Sequence, residues 1–262
     1  MNISLIAQLA RWMFPVLTLP LLGAPVAIRA RELAEIRSSG ELRIGTEGTT
    51  PPFNYFDGGK LTGFDIDIGN AVAAQMGLRA VWSTASFDTL VIGLSQDRND
   101  LLVMGQAITS VRQSAVDFSD AYVCSGAVII SLPGGARHSA DLAGKIVGVQ
   151  VGTTYLSAVS AIEGVGRVIT FQRDTDALQN LLARRTDAWI SDRLTASYLA
   201  KTNPRLQLQL GDLLFAERDG ISIAKGHDDL RAAVNLAIKG ILVDGTYARI
   251  SMARFGRDVR CD

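Results

Sequence analysis

Apolar and polar positions alternate along the chain in short segments that are typical of strands and helices. Residues 41–46 (ELRIGT) alternate polar and apolar side chains, so they predict a half-buried strand that ends in a turn. The paired Gly58 and Gly59 stand between two apolar segments and predict a tight hairpin. Apolar side chains then recur on one helical face, which predicts a helix with Asp65 as its N-cap and Gly77 at its end.

The rest of the chain repeats this alternation of strand and helix segments. Predicted strands cover residues 79–83, 100–104, 121–131, 145–150, 167–171, 187–191 and 220–224. Predicted helices cover residues 87–94, 153–162, 174–184, 193–200, 229–243 and 247–255. Such an alternation indicates an α/β fold with mostly parallel sheets.

Two extended segments are placed to carry the chain between two halves of this fold. The apolar segment 121–131 leads out of the first series of elements, and the strand 220–224 leads back to it. We therefore predict a discontinuous lobe 1 of residues 31–122 and 219–262, with an inserted lobe 2 of residues 123–218. Two crossings create a hinge and a cleft, which is a favoured place for a small-molecule site.

Composition and charge describe a globular chain. Of its 262 residues, 48% are hydrophobic, which is ample for packed cores. Lysine plus arginine and aspartate plus glutamate both total 26, so nothing indicates a polyanion-binding surface. We therefore predict no nucleic-acid partner.

The N-terminal residues differ from the rest of the chain. Residues 12–28 form an apolar run that prolines interrupt, with Arg11 before it and the small residues Ala27 and Ala30 near its end. This pattern predicts a signal peptide over residues 1–30, cut after Ala27 or Ala30, and hence a periplasmic protein. A membrane anchor is the alternative, although the run is near the lower length for a span and its prolines disfavour a long straight helix.

The cysteines and histidines do not form a metal motif. Cys124 and Cys261 either pair as a disulfide in an exported protein or stay as two separate thiols, and the sequence leaves both states open. His138 and His227 lie far apart and lack the spacing of zinc ligands. We predict no metal and no cofactor.

Five segments of the sequence resemble one protein family, in the family's order. Residues 51–77 (PPFNYFDGGKLTGFDIDIGNAVAAQMG) resemble the opening of bacterial periplasmic solute-binding proteins of the polar-amino-acid type, also called extracellular solute-binding protein family 3. The resemblance continues through residues 104–122, 141–156, 187–199 and 233–256. It implies a type II periplasmic binding protein fold, in which each of two lobes has a mixed, mostly parallel sheet flanked by helices and the ligand cleft lies between them.

The same resemblance implies a function. A receptor of this kind binds an amino acid or a related zwitterion in the cleft by hinge closure and delivers it to an ABC permease in the inner membrane. Closure follows if the ligand contacts both lobes, because only a higher affinity for the closed form shifts the equilibrium toward it. We expect a monomer that is not an enzyme.

Arg112 is the first candidate ligand-binding residue. It lies in a turn after an apolar strand, and its planar guanidinium suits bidentate recognition of a carboxylate. The resemblance implies that this arginine clamps the α-carboxylate of the ligand, with help from the backbone of Gly105 and Ala107. An ion pair with Asp117 or Asp120 is the structural alternative.

Thr154 and Asp192 are candidates on the second lobe. Residues 152–154 open a helix, and exposed N–H groups at a helix start bind anions. The resemblance implies that Thr154 contacts the ligand carboxylate and that Asp192 binds the α-ammonium. Either side chain could instead serve as a simple helix cap.

Four further candidates depart from the family pattern or extend it. The resemblance aligns Glu47 and Thr50 with positions where members often carry aspartate and an aromatic residue. Glu47 could read a cationic side chain such as that of arginine, lysine or ornithine, with Gln150 adding a hydrogen bond, or it could face solvent. Phe87 matches a position that can form an aromatic wall, although a core position explains it equally well.

Two other functions stay open at this point. A few proteins similar to this family are cyclohexadienyl dehydratases, in which a general acid eliminates a leaving group from a carboxylate substrate. Glu47 and Glu163 are candidates for that acid on chemical grounds. A sensory periplasmic binding protein is the other alternative.

Overall fold

The computed structural model describes residues 29–261. The predicted signal peptide, its cleavage after Ala27 and the alternative membrane anchor therefore fall almost wholly outside the described residues. Within the described range, no helix is both long enough and apolar enough to span a membrane.

Strands and helices alternate through the described chain, as the sequence pattern predicts. The strands are β1 Glu41–Thr46, β2 Thr49–Thr50, β3 Asn54–Asp57, β4 Lys60–Thr62, β5 Arg79–Thr84, β6 Leu101–Ala107, β7 Val116–Ser131, β8 Ile146–Gln150, β9 Arg167–Phe171, β10 Ala188–Asp192 and β11 Gln209–Ala224. The helices are α1 Leu33–Ser39, α2 Phe64–Gln75, α3 Phe87–Ser95, α4 Ser110–Gln113, α5 Thr154–Ser160, α6 Asp174–Leu182, α7 Arg193–Thr202, α8 Asp228–Val243 and α9 Thr246–Phe255.

Two long strands join the two halves of the main sheet, whose order is β5-β1-β6-β11-β7-β10-β8-β9. The β5-β1-β6 and β10-β8-β9 groups are parallel, whereas β11 runs antiparallel to β6 and β7, and β10 runs antiparallel to β7. The β7–β11 pairing extends from Gln209 opposite Ser131 to Ala224 opposite Val116. The predicted lobe boundaries fall inside this strand pair, so β7 and β11 carry the chain between the lobes.

The strand β11 is much longer than the predicted strand 220–224. It begins at Gln209 because its first half pairs with β7. Three consecutive charged residues, Glu217, Arg218 and Asp219, interrupt the apolar pattern just before the predicted start. The apolar pattern that predicts a strand is therefore interrupted at the point where β11 passes between the lobes.

Helix α2 shows how the opening motif is built. Phe64, Ile68 and Val72 lie one turn apart and are fully buried, so this face packs into the core of lobe 1. Gly63 precedes the helix at φ 128°, and a Cβ there would lie 2.2 Å from the Phe53 carbonyl oxygen, so glycine is required. The prediction of Asp65 as N-cap is wrong, because the helix begins at Phe64 and the Asp65 side chain points into the protein.

A disulfide joins Cys124 and Cys261, which resolves the two states that the sequence left open. The Cα atoms are 5.0 Å apart, and the Cys124 N–H donates to the Val259 carbonyl oxygen nearby. The bridge therefore fastens the C-terminal segment to β7, one of the two strands that join the lobes.

Removing this disulfide is expected to destabilise the protein without altering its fold. The bridge spans 137 residues of sequence, and constraining so long a loop in the unfolded chain stabilises a protein by about 2–5 kcal/mol. Cys124→Ser with Cys261→Ser should lower the free energy of unfolding by that amount in urea titration. Wild-type protein in reductant is the matched control, and equal stability with and without reductant would contradict the prediction.

Candidate functional site

One cavity lies between the lobes at the carboxyl ends of β1, β6, β8 and β10, the edge at which open α/β sheets bind ligands. The space between its walls is about 510 Å³, a volume that includes the open mouth. All nine predicted ligand-binding residues line it: Glu47, Thr50, Phe87, Gly105, Ala107, Arg112, Gln150, Thr154 and Asp192. Eight residues outside that set also line it: Phe53, Met104, Thr153, Tyr155, Asp174, Ser191, Glu217 and Asp219.

The lobes touch across this cavity. Gln150 Nε2 on lobe 2 donates to Glu47 Oε1 on lobe 1 over 2.6 Å, and the pair is buried. Arg112 Nη2 on lobe 1 donates to the Gly152 carbonyl oxygen on lobe 2 over 3.0 Å. These bonds require close approach of the lobes, so the structure is the closed form.

Arg112 occupies the short helix α4, where its guanidinium is directed by backbone carbonyls. Nη1 donates to the Ala107 oxygen over 2.9 Å, in addition to the bond across the cleft. The predicted ion-pair alternative is wrong, because Asp117 pairs with Lys225 instead and Arg112 forms no ion pair with any described residue. Burial lowers the pKa of Arg112, and the nearby Glu217 carboxylate opposes this change.

Phe87 is a core residue that also lines the cavity, and its role as an aromatic wall for the ligand stays a prediction. Its ring is buried and belongs to the core cluster with Leu90 and Leu94. The guanidinium carbon of Arg112 also lies 5.6 Å from the centre of the ring, within cation–π range. Phe87 therefore supports the arginine from the side of lobe 1.

Helix α5 begins at the cavity, with Thr153 as its N-cap. Thr153 Oγ1 accepts from the Leu156 N–H over 3.3 Å, so the N-cap alternative for Thr154 is wrong. The Thr154 hydroxyl donates instead to Glu217 Oε2 over 2.8 Å. Its hydrogen is thus held by a carboxylate of the protein itself.

Asp192 ends β10 and caps helix α7. Its Oδ1 accepts from the N–H groups of Leu194 and Thr195 at 2.7 and 2.9 Å. The capping role that the sequence allowed is therefore present, and the side chain also lines the cavity. Burial raises the pKa of Asp192.

Glu47 is buried, so the alternative that it faces solvent is wrong. Only 6% of the residue is exposed, and Thr50 Oγ1 donates to its Oε2 over 3.1 Å while Gln150 holds Oε1. Burial raises the pKa of Glu47. The carboxylate is therefore fixed in place between the lobes.

A buried network behind the cavity positions two of its walls. Asp65 accepts from the Tyr122 hydroxyl and from Asn54 Nδ2, each over 2.7 Å. The same tyrosine accepts from the Gly105 N–H, and Asn54 Oδ1 accepts from the Gly48 N–H. Burial raises the pKa of Asp65 to about 6. One carboxyl thus anchors both the turn after β1 and the end of β6.

Asp174 is a cavity residue that the sequence analysis missed. It opens helix α6, and an acidic residue there looks like an ordinary favourable charge in the first turn. Trp189 Nε1 donates to its Oδ1 over 2.8 Å, and the Ser191 hydroxyl donates to its Oδ2 over 2.6 Å. Burial raises the pKa of Asp174 to about 7.

Glu217 and Asp219 on β11 are the other missed carboxyls. Glu217 accepts from Thr154 and from the Tyr155 hydroxyl, whereas Asp219 is 2% exposed and its Oδ1 has no partner among the described residues. Burial raises the pKa of both groups. Because they are two positions apart on a strand, their side chains leave it on the same face.

The cavity is strongly acidic. Five carboxyl groups line it: Glu47, Asp174, Asp192, Glu217 and Asp219. Among the described residues that line the cavity, Arg112 is the only arginine or lysine. Such a site favours ligands that bring positive charge.

Glu163 is not part of this site. It is exposed in the turn after α5 and does not line the cavity, so its candidacy as a catalytic acid is wrong.

The family follows from comparison with known proteins. Residues 42–257 match the family model of bacterial extracellular solute-binding proteins, family 3. The chain belongs to this family. This solute-binding protein is 35% identical over 233 residues to the L-cystine-binding protein TcyJ of Escherichia coli, covering 87% of each chain. It is 32% identical over 254 residues to the L-arginine-binding protein of Pseudomonas aeruginosa, covering 92% of this chain and 97% of that one.

Solved structures share the fold of this solute-binding protein. An ancestral arginine-binding protein bound to arginine is 36% identical with a TM-score of 0.79, over 83% of this chain and 99% of that chain. An ancestral amino-acid-binding protein, a precursor of cyclohexadienyl dehydratase, is 32% identical with the same TM-score, over 85% of this chain and 98% of that chain. The predicted two-lobed α/β fold is confirmed.

One group of potential metal ligands lies away from the cavity. Glu32, His227 and Asp229 each offer a ligand atom, and these atoms lie within 4.8 Å of one another. Glu32 already pairs with Arg29, and two of the three residues are exposed. The group does not contribute to the interlobe site.

Asp174 is expected to make the stability of this solute-binding protein depend on pH. Its folded-state pKa of about 7 lies above the usual value of 3.8, so the folded protein holds a proton that the unfolded chain has lost. The free energy of unfolding therefore falls as pH rises from about 4 to 7. Asp174→Asn should reduce this slope by about 1 kcal/mol per pH unit.

Urea titrations of ligand-free protein at pH 5, 6, 7 and 8 measure this slope. Asp57→Asn, on the exposed hairpin, is the matched control and should keep the wild-type slope. An Asp174→Asn slope equal to that of wild type would show that the burial of this carboxyl does not govern the pH dependence.

Proposed function

We propose that this protein is a periplasmic receptor for amino acids with a cationic side chain, such as arginine, lysine or ornithine. The observation that carries the proposal is the charge of the cavity, with five carboxyl groups and one guanidinium. A ligand with one carboxylate and two cationic groups matches that balance better than a neutral or acidic amino acid.

The α-groups of the ligand bind at the end of the cavity that holds Arg112 and Asp192. Arg112 takes the carboxylate, with the backbone of Gly105 and Ala107 and the N-terminus of α5 at Thr154 beside it. Asp192 takes the α-ammonium. Arg112 and Asp192 come from different lobes, so a ligand that bridges them stabilises the closed form.

The cationic side chain of the ligand binds between Glu47 and Asp174. Each carboxylate comes from a different lobe, and each lines the cavity. Burial of both groups is costly, and this is why their pKa values are raised. A ligand ammonium or guanidinium offsets that cost, with Thr50 and Gln150 holding Glu47 in position.

The same charge balance argues against two other ligand classes. Cystine carries two carboxylates and two ammonium groups, and its second carboxylate has no second arginine or lysine among the described lining residues of the cavity. Prephenate carries two carboxylates and no cation, so a dehydratase acting on it would bring like charges together. The protein therefore acts as a receptor and not as an enzyme.

Delivery of the ligand completes the proposed function. Residues 1–30 direct export, and the closed monomer presents the ligand to an ABC permease in the inner membrane. The match to bacterial extracellular solute-binding proteins, family 3, supports this route.

Calorimetry with a panel of amino acids tests the ligand class. Arginine, lysine or ornithine should bind at least about tenfold more tightly than glutamine or cystine, because each charge-assisted hydrogen bond contributes about 1.5–3 kcal/mol. Glu47→Gln should reduce that preference, since it keeps the shape of the side chain and removes its charge. A tighter complex with cystine, or turnover of prephenate, would overturn the proposal.

Arg112→Ala is expected to fold with near-normal stability and to lose ligand binding by 100-fold or more. Removal of the guanidinium costs the fold two hydrogen bonds, to the carbonyl oxygens of Ala107 and Gly152, and no ion pair with any described residue. Calorimetry and thermal unfolding measure the two effects. Arg185→Ala removes an exposed arginine outside the cavity and is the matched control. Unfolding of Arg112→Ala would indicate a structural role instead.

A further inference from the structure

Glu217 places a carboxylate of the protein itself at the start of helix α5. Its Oε2 accepts from the Thr154 hydroxyl over 2.8 Å, and its Oε1 accepts from the Tyr155 hydroxyl over 2.5 Å. The side chain comes from β11, one of the two strands that join the lobes, and lines the cavity. Two donors thus fix an internal anion inside the site.

This anion faces the same groups that the proposed function gives to the carboxylate of the ligand. The negative charge of Glu217 favours the charged form of Arg112 more than any other neighbouring group does. Thr154, the other proposed carboxylate contact, already donates to Glu217. A ligand carboxylate that binds here finds the Thr154 hydroxyl already donating to Glu217, and the charge of Glu217 repels it.

Asp219 adds a second, independent observation at this end of the cavity. It is 2% exposed, and its Oδ1 lacks a hydrogen-bond partner among the described residues. With Asp192, three carboxyls line the same cavity as the Arg112 guanidinium, whereas a zwitterion brings one anion and one cation. The imbalance favours a ligand group that is cationic and carries no carboxylate.

We propose that Glu217 is a specificity-determining residue that takes part of the place of the α-carboxylate of the ligand, so that the cavity also accepts decarboxylated cationic amino acids. The ligands in question are guanidino amines and diamines, represented by agmatine, cadaverine and putrescine. The inference rests on the proposed receptor function, because it concerns the same cavity and the same side-chain subsite. Glu47 and Asp174 still bind the distal cation of either ligand.

Matched ligand pairs isolate this effect. Arginine and agmatine differ only in the α-carboxylate, as do lysine and cadaverine, and ornithine and putrescine. Calorimetry at pH 7.5 should give dissociation constants within about tenfold of each other for the two members of the pair that binds best. In Glu217→Gln the affinity for the amino acid should rise relative to the affinity for its amine by at least about tenfold, because one repulsive charge has been removed.

The ratio within a pair separates specificity from structure. Damage to the hinge strand would weaken both members alike and leave their ratio unchanged. Glu163→Gln makes the same chemical change at an exposed position outside the cavity, and it should keep the wild-type ratio.

Each outcome decides the inference. A wild-type preference for the amino acid above about tenfold, or a ratio that Glu217→Gln leaves unchanged, overturns it. Binding of an amine without its amino acid supports the role of Glu217 and overturns the amino-acid receptor function. Failure of every pair to bind overturns both.

Discussion

The burial of five carboxyl groups around a single guanidinium is the constraint on which the interlobe site depends. A buried carboxylate is costly unless donors or cations surround it. Here four of the five carboxyls accept hydrogen bonds from other parts of the described chain, and Asp219 is the exception. Thr50 and Gln150 donate to Glu47, and Trp189 and Ser191 donate to Asp174. The N-terminus of α7 donates to Asp192, and α5 donates to Glu217. These donors hold the acidic groups in place, but they do not neutralise them. Positive charge from a ligand therefore stabilises the closed protein.

The strands that join the lobes also form part of the wall of the site. Glu217 and Asp219 lie on β11 opposite Ser125 and Val123 of β7, so the hinge pair carries two of the five carboxyls. The disulfide at Cys124 fastens the C-terminal segment to the same region. The β7–β11 pair therefore both connects the lobes and forms part of the wall of the cavity.

Local sequence patterns predicted most of the fold, and the resemblance to the family supplied the nine proposed ligand contacts, all of which line the cavity. The misses have physical causes. Asp174 has the same local signature as any acidic residue in a first helical turn, and only its tertiary partners Trp189 and Ser191 distinguish it. Glu217 depends on the pairing of β11 with β7, which no short-range pattern encodes. Asp65 was misassigned because the N-cap is Gly63, two residues earlier, and the helix starts at Phe64.

The closed form contains bonds between the lobes that involve no ligand, and this limits what a ligand must contribute. Two hydrogen bonds between described residues cross the cleft, one from Gln150 to Glu47 and one from Arg112 to the Gly152 oxygen. These two bonds favour closure, whereas the approach of the carboxyls opposes it, since burial raises the pKa of every one of them. A cation that enters removes the opposing contribution and leaves the interlobe bonds intact. In the proposed receptor, charge compensation sets most of the affinity for the closed form, and the shape of the ligand adds selectivity among cations.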